Sequence, residues 1–165
     1  MKKQIRQGVF ETNSSSTHSI CIAKEAELII PKELHFEFGE FGWEFRTLQS
    51  VEEKASYLYT GLKDNDRLDD FNNIVETLKN KGIEVTFEEQ TGKNSWDNGY
   101  IDHSDELGKF LNDICIDSEK LMKFLFSPLS FILTGNDNID EDDRKAGNNV
   151  TIDVKYEHDK YFKGN

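Results

Sequence analysis

Two histidines stand among groups that could share a proton-transfer reaction. His18 follows six consecutive hydroxyl or amide residues, Thr12, Asn13, Ser14, Ser15, Ser16 and Thr17, and His103 lies between Asp102 and Asp105. Cleaving an RNA phosphodiester without a metal needs a base for the 2′-hydroxyl, an acid for the leaving oxygen and donors for the phosphorane oxygens. His18 and His103 with Glu11 are the candidate catalytic groups for such a site. Residues 12–17 are the candidate phosphate-binding donors, with Lys3 and Arg6 as counter-charge on the chain leading to them. A plainer reading stands beside this one. Ser, Thr and Asn also bond their own backbone in solvated turns, and each histidine is then an ordinary structural or surface residue.

A metal-dependent version would draw on Glu11, Asp102, His103 and Asp137 as ligands for magnesium or manganese, which would generate hydroxide and neutralise phosphate charge. Carboxylates are abundant in this chain, so four that could converge are expected by chance, and the site is read as needing no cofactor. The acidic run at 135–143 (GNDNIDEDD) lacks the glycine and glutamate spacing of a calcium loop and is read as solvated. There is no P-loop, dinucleotide fingerprint, zinc cysteine pattern or nucleophile elbow.

The segment at 8–20, GVFETNSSSTHSI, resembles the opening of a family of small proteins carried by phages and mobile elements of Gram-positive bacteria. The resemblance continues more loosely at 39–44 (GEFGWE), 99–103 (GYIDH) and 134–138 (TGNDN). The group is in turn similar to type II-A anti-CRISPR proteins, some of which cause truncation of a guide RNA. The resemblance implies an accessory protein acting against host defence, with RNA or an RNA-guided nuclease as its partner.

The formal charge of −12, from 32 acids against 20 bases, argues against a protein that grips duplex nucleic acid through a broad basic face. A small acidic domain can instead fill a basic groove on a partner, carboxylates standing in for phosphates, and that mimicry is the rival to catalysis. The expected acidic faces are Asp64, Asp66, Asp69 and Asp70, and residues 137–143. The two cysteines, Cys21 and Cys115, lack CxxC spacing and lie in apolar surroundings, as buried reduced thiols of a cytoplasmic protein would. No apolar run is long enough to span a membrane.

With 165 residues the chain is expected to form a single α+β domain over 1–165, with a short C-terminal arm at 156–165. The expected sheet is mostly antiparallel, with helices packed on one face. Strands are expected at 5–10, 19–23, 28–30, 83–88, 131–134 and 150–154, and the alternation of LHFEFGEFGWEF over 34–45 predicts a half-buried hairpin. Ser50 with Glu53 predicts a capped helix running to Leu62, and a second helix runs from Leu68 to Lys81 with Gly82 as its stop. Two further helices begin near Asp105 and Ser118, the latter ended by Pro128. The polar stretch at 12–17 is then a loop between two buried strands, a rigid frame of the kind that binding sites use.

Overall fold

The computed structural model describes residues 16–25, 27–92, 98–136 and 157–163. The expected strands at 5–10 and 150–154, the residues Lys3, Arg6, Glu11, Thr12, Asn13, Ser14 and Ser15, and Asp137 with the rest of its acidic run lie outside the described residues.

The first described strand, β1 (Ser16–Ala23), begins three residues before the position expected. Ser16, Thr17 and His18 are therefore part of a strand and not of a loop. Side chains alternate along a strand, and Ser16, His18, Ile20 and Ile22 share the face that is almost wholly buried. His18 thus points to the core because Ile20 and Ile22 do.

Three further strands complete an antiparallel sheet: β4 (Arg46–Leu48), β7 (Phe131–Asn136) and β8 (His158–Lys163) run in the order β4-β7-β1-β8. Residues 158–163 of the segment expected to be a C-terminal arm form this last strand, paired with β1 along its length. An apolar row crosses the sheet through Leu48, Ile132 and Ile20. Two residues along, Arg46, Thr134, His18 and Lys163 form a parallel polar row. Thr134, His18 and Lys163 of that row are buried, which is costly unless each polar group finds a partner, while Arg46 at its end is exposed.

The predicted hairpin over 34–45 does not form. β2 (Glu33–Phe36) pairs in parallel with β5 (Glu84–Phe87), and β3 (Glu40–Phe41) pairs in parallel with β6 (Tyr100–Ile101). The alternation was real, since Leu34, Phe36 and Phe41 are buried. It records which side chains face the core, and says nothing about which strand supplies the hydrogen bonds. Residues 28–30 form no strand, and Ile29 and Ile30 are exposed.

Four α-helices cover the sheet and its satellites. In α1 (Val51–Asp64) the Ser50 hydroxyl accepts from Glu53 N while Glu53 returns to the Ser50 N–H, the expected capping box. α2 (Leu68–Asn80) buries Phe71, Ile74, Val75 and Leu78 and ends at Gly82, whose φ of 83° suits glycine. A 3-10 turn (Ser104–Leu107) leads into α3 (Gly108–Ile116), and Asp117 caps α4 (Ser118–Phe126). Residues of α1, α3, α4 and β1 merge into one apolar core with Leu34, Phe36 and Leu48. The architecture is α+β with a mainly antiparallel sheet. Cys21 is buried and Cys115 half-buried, both as free thiols. No helix among the described residues is long and apolar enough to cross a membrane.

Candidate functional site: a buried polar knot beneath an acidic cleft

His18 is 0 % exposed, and both ring nitrogens are engaged. Nε2 lies 3.0 Å from the Gly42 carbonyl oxygen and Nδ1 lies 2.8 Å from the Tyr57 hydroxyl. A carbonyl only accepts, so Nε2 carries the proton and Nδ1 accepts from the Tyr57 O–H, leaving a neutral imidazole in one tautomer. Burial pushes its pKa down to about 4, with Lys163 adding to the fall while the Gly42 carbonyl and Asp102 oppose it. The same burial raises the pKa of Tyr57, which keeps its proton. An imidazole so placed has no face open to a substrate and no nitrogen to spare. The expectation that His18 is presented to solvent as a proton-transfer group does not hold.

Ser16 is likewise spent on structure. Its hydroxyl donates to the Asp102 carbonyl at 3.3 Å, and Lys163 Nζ donates to the Ser16 carbonyl at 2.9 Å and to its Oγ at 2.6 Å. Thr17, half-buried, pairs with Gly135 across the sheet. Thr134 donates to the Glu44 carbonyl at 2.6 Å and accepts from Arg46 N. The polar row of the sheet is thereby satisfied, chiefly by backbone of the loops above it.

These bonds bring together the stretches 16–20, 39–44, 99–103 and 134–136, which are far apart in sequence. Gly99, at φ 71°, lies so close to Gly39 that an added Cβ would fall 2.3 Å from the Gly39 oxygen. A Cβ on Gly135 would strike the Phe45 ring at 2.6 Å. The glycines in these stretches are needed for close approach.

Above the knot, residues 100–105 form one wall of a cleft of about 660 Å³. The end of α1 and the start of α2 form the other. Lys63 donates to the Gly99 carbonyl and pairs with Asp64 at 3.0 Å, and Asp64 Oδ2 accepts from Ile101 N at 2.7 Å. Asn65 Nδ2 bonds the Ser104 carbonyl at 2.9 Å. The last turn of α1 thus clamps the 98–104 strand and loop in place.

Five aspartates line the cleft: Asp64, Asp66, Asp69, Asp102 and Asp105. Lys63, the one lysine or arginine of the described lining, pairs with Asp64, and His103 is the one imidazole there. That ring is half-exposed, at φ 52°, and its Nε2 lies 3.9 Å from Asp102 Oδ2. His103 and His18 are therefore in different environments, one lining the cleft and one enclosed below it. Of the proposed metal ligands, Asp102 and His103 are adjacent, and no group of three or more metal-binding side chains occurs among the described residues. A smaller notch of about 240 Å³, lined by Glu40, Gly42, Trp43, Glu44 and Tyr100, shares Tyr100 with the cleft.

Neither protein-family models nor curated proteins nor solved structures give a match to this chain.

The acidic cleft was only half legible in the sequence. Asp64, Asp66 and Asp69 were read as an acidic face, and Asp102 and Asp105 as partners of His103. That the two groups share one cleft follows from the clamp by Lys63, Asp64 and Asn65, for which local sequence carries no signal.

His18 also has a thermodynamic signature. It binds a proton more weakly folded than unfolded, so between its ordinary pKa of 6.5 and about 4 unfolding takes up a proton. Its contribution to stability is complete above pH 6.5 and falls by roughly 3 kcal/mol as the pH drops through that window. Urea midpoints of the wild type and of His18→Gln, measured across the window, are expected to diverge in slope, the variant lacking this component. Parallel curves would show that the ring is not buried neutral.

Proposed function

We propose that the protein is a non-enzymatic acidic binding protein that occupies a basic surface of a host nuclease. The observation that carries this reading is the cleft, where Asp64, Asp66, Asp69, Asp102 and Asp105 line one opening and Lys63 is the one lysine or arginine of the described lining. A phosphate entering there would meet like charge, whereas a lysine- or arginine-rich surface would meet its complement. The net charge of −12 supports the same direction of encounter. Phosphodiester cleavage by two histidines, the competing expectation, needs both imidazoles open to one substrate; His103 lines the cleft, but His18 is enclosed with both nitrogens bonded.

The likeness of residues 8–20 to a phage and mobile-element family directs the choice of partner to an RNA-guided nuclease. Such an enzyme holds its RNA–DNA duplex in a positively charged channel, which is open when no guide is bound. Carboxylates presented on a rigid frame would compete for that channel, and the protein would then act against host defence by occupancy.

The test is binding to a purified, guide-free type II-A nuclease at increasing salt. Affinity is expected to fall steeply between about 50 and 300 mM salt, as the screening length shortens. Asp66→Asn/Asp69→Asn/Asp105→Asn keeps side-chain shape and leaves the Asp64 clamp intact. It is expected to weaken binding roughly tenfold at low salt and to flatten the salt dependence. Guide RNA shortened by the purified protein, with the shortening lost in a folded His18→Gln variant, would overturn the proposal in favour of an enzyme.

A further inference from the structure

The notch beside the cleft has a composition that the acidic surface around it does not share. Trp43 is 48 % exposed and so presents ring surface to solvent. It lines the notch with Tyr100, and two carboxylates, Glu40 and Glu44, line it as well. Aromatic faces attract cations through the ring quadrupole, and carboxylates supply charge and acceptors. Arginine satisfies both at once, because its planar guanidinium stacks on an aromatic ring while its fork of N–H groups meets a carboxylate. A phosphate or a nucleobase phosphate ester would be repelled by Glu40 and Glu44.

The notch is also held in place from below. Its Gly42 carbonyl accepts the His18 Nε2–H, and its Glu44 carbonyl accepts the Thr134 hydroxyl. Tyr100 N donates to Gly39 O at 2.9 Å, joining the two walls. The buried polar knot therefore fixes the backbone of two of the five lining residues, the backbone bond to Gly39 fixes that of a third, and a pre-formed recess costs its ligand little ordering on binding. Its volume of about 240 Å³ suits one side chain and is far smaller than the adjoining cleft.

We propose that the Trp43–Tyr100 notch, with Glu40 and Glu44, receives a single arginine side chain of the partner, while the aspartate cleft beside it takes the surrounding basic residues. This inference rests on the reading of the protein as a binder of a basic surface, and it names the anchor of that contact. In it His18 is a positioning residue for the notch.

The test uses nona-arginine and nona-lysine peptides with the full chain carrying Trp96→Phe, so that Trp43 is the only tryptophan. Nona-arginine is expected to change Trp43 fluorescence saturably and to bind several-fold more tightly than nona-lysine. Trp43→Ala, followed by calorimetry because it lacks the reporter, is expected to weaken nona-arginine about tenfold and to abolish the preference over nona-lysine. Trp43→Phe should restore most of it, and Glu40→Gln/Glu44→Gln should weaken binding with melting temperature unchanged. If Trp43→Ala binds nona-arginine as the wild type does while Asp66→Asn/Asp69→Asn/Asp105→Asn loses it, the arginine notch is overturned and the acidic-binder reading stands. Failure of the Trp96→Phe protein to bind either peptide at low salt would overturn both.

Discussion

His18→Ala is expected to lower the stability of the protein by about 4 kcal/mol and its melting temperature by about 10 °C. The substitution removes a wholly buried ring and leaves a cavity between β1 and α1. It also strips the Gly42 carbonyl of its donor and the Tyr57 hydroxyl of its acceptor. Each polar group left unpaired in the interior costs about 1 to 3 kcal/mol, on top of the lost packing. The loss should be coupled to Tyr57. In a double-mutant cycle, Tyr57→Phe is expected to cost less in the His18→Ala background than in the wild type, by more than about 1 kcal/mol. Thermal melts of the four proteins check both statements. A ring whose removal shifts the melt by no more than a surface substitution would not be the node described.

Gly99→Ala is expected to destabilise by about 3 kcal/mol or more, and to do so through backbone contact. At φ 71° alanine pays about 1 kcal/mol for the left-handed conformation alone. Its methyl would lie 2.3 Å from the Gly39 oxygen, and no side-chain rotation relieves that clash. The strands β3 and β6 must separate, which breaks the Tyr100 N–Gly39 O bond and loosens both the cleft and the notch. Gly82→Ala is the control, because Gly82 has φ 83° and nothing within 4 Å of the added Cβ. It should cost only the conformational penalty. Denaturant unfolding of the two variants side by side isolates the contact, and equal losses would mean that the backbones do not meet at Gly99.

Much of the helical half could be read from local chemistry. Ser50 and Glu53 are three residues apart and cap α1 as their spacing requires, and Gly82 ends α2 because its left-handed φ suits no other residue as well. The strands that follow these helices were legible from their apolar residues. Pairing was not, because register and direction depend on partners tens of residues away. Within the stretch 34–45, where the alternation predicts a hairpin, Gly39 serves a close approach by Gly99, and Gly42 lends its carbonyl to a buried histidine.

The burial of His18 follows from strand alternation in its own neighbourhood. Ile20 and Ile22 are apolar residues of the expected strand at 19–23, and strand alternation carried back from them places His18 and Ser16 on the same face. The density of hydroxyls around it suggested a solvent-facing loop, when the same hydroxyls could satisfy a buried polar row. Ser16 and Thr134 do this, and the row holds the surface loops in place. The polar residues at 16–18 thus serve to hold the loops that wall a cleft at 63–69 and 100–105 and a notch at 40–44.

The central claim is that His18 is a neutral, single-tautomer strut and not a proton carrier, and its ring can be observed directly. In ¹⁵N-labelled protein, long-range imidazole spectra recorded from pH 8 to pH 4 should show Nε2 protonated and Nδ1 bare throughout most of the range. The midpoint of its titration is expected near pH 4. A His18 ring that titrates near 6.5 and exchanges between tautomers would contradict this account and restore an accessible imidazole beneath the cleft.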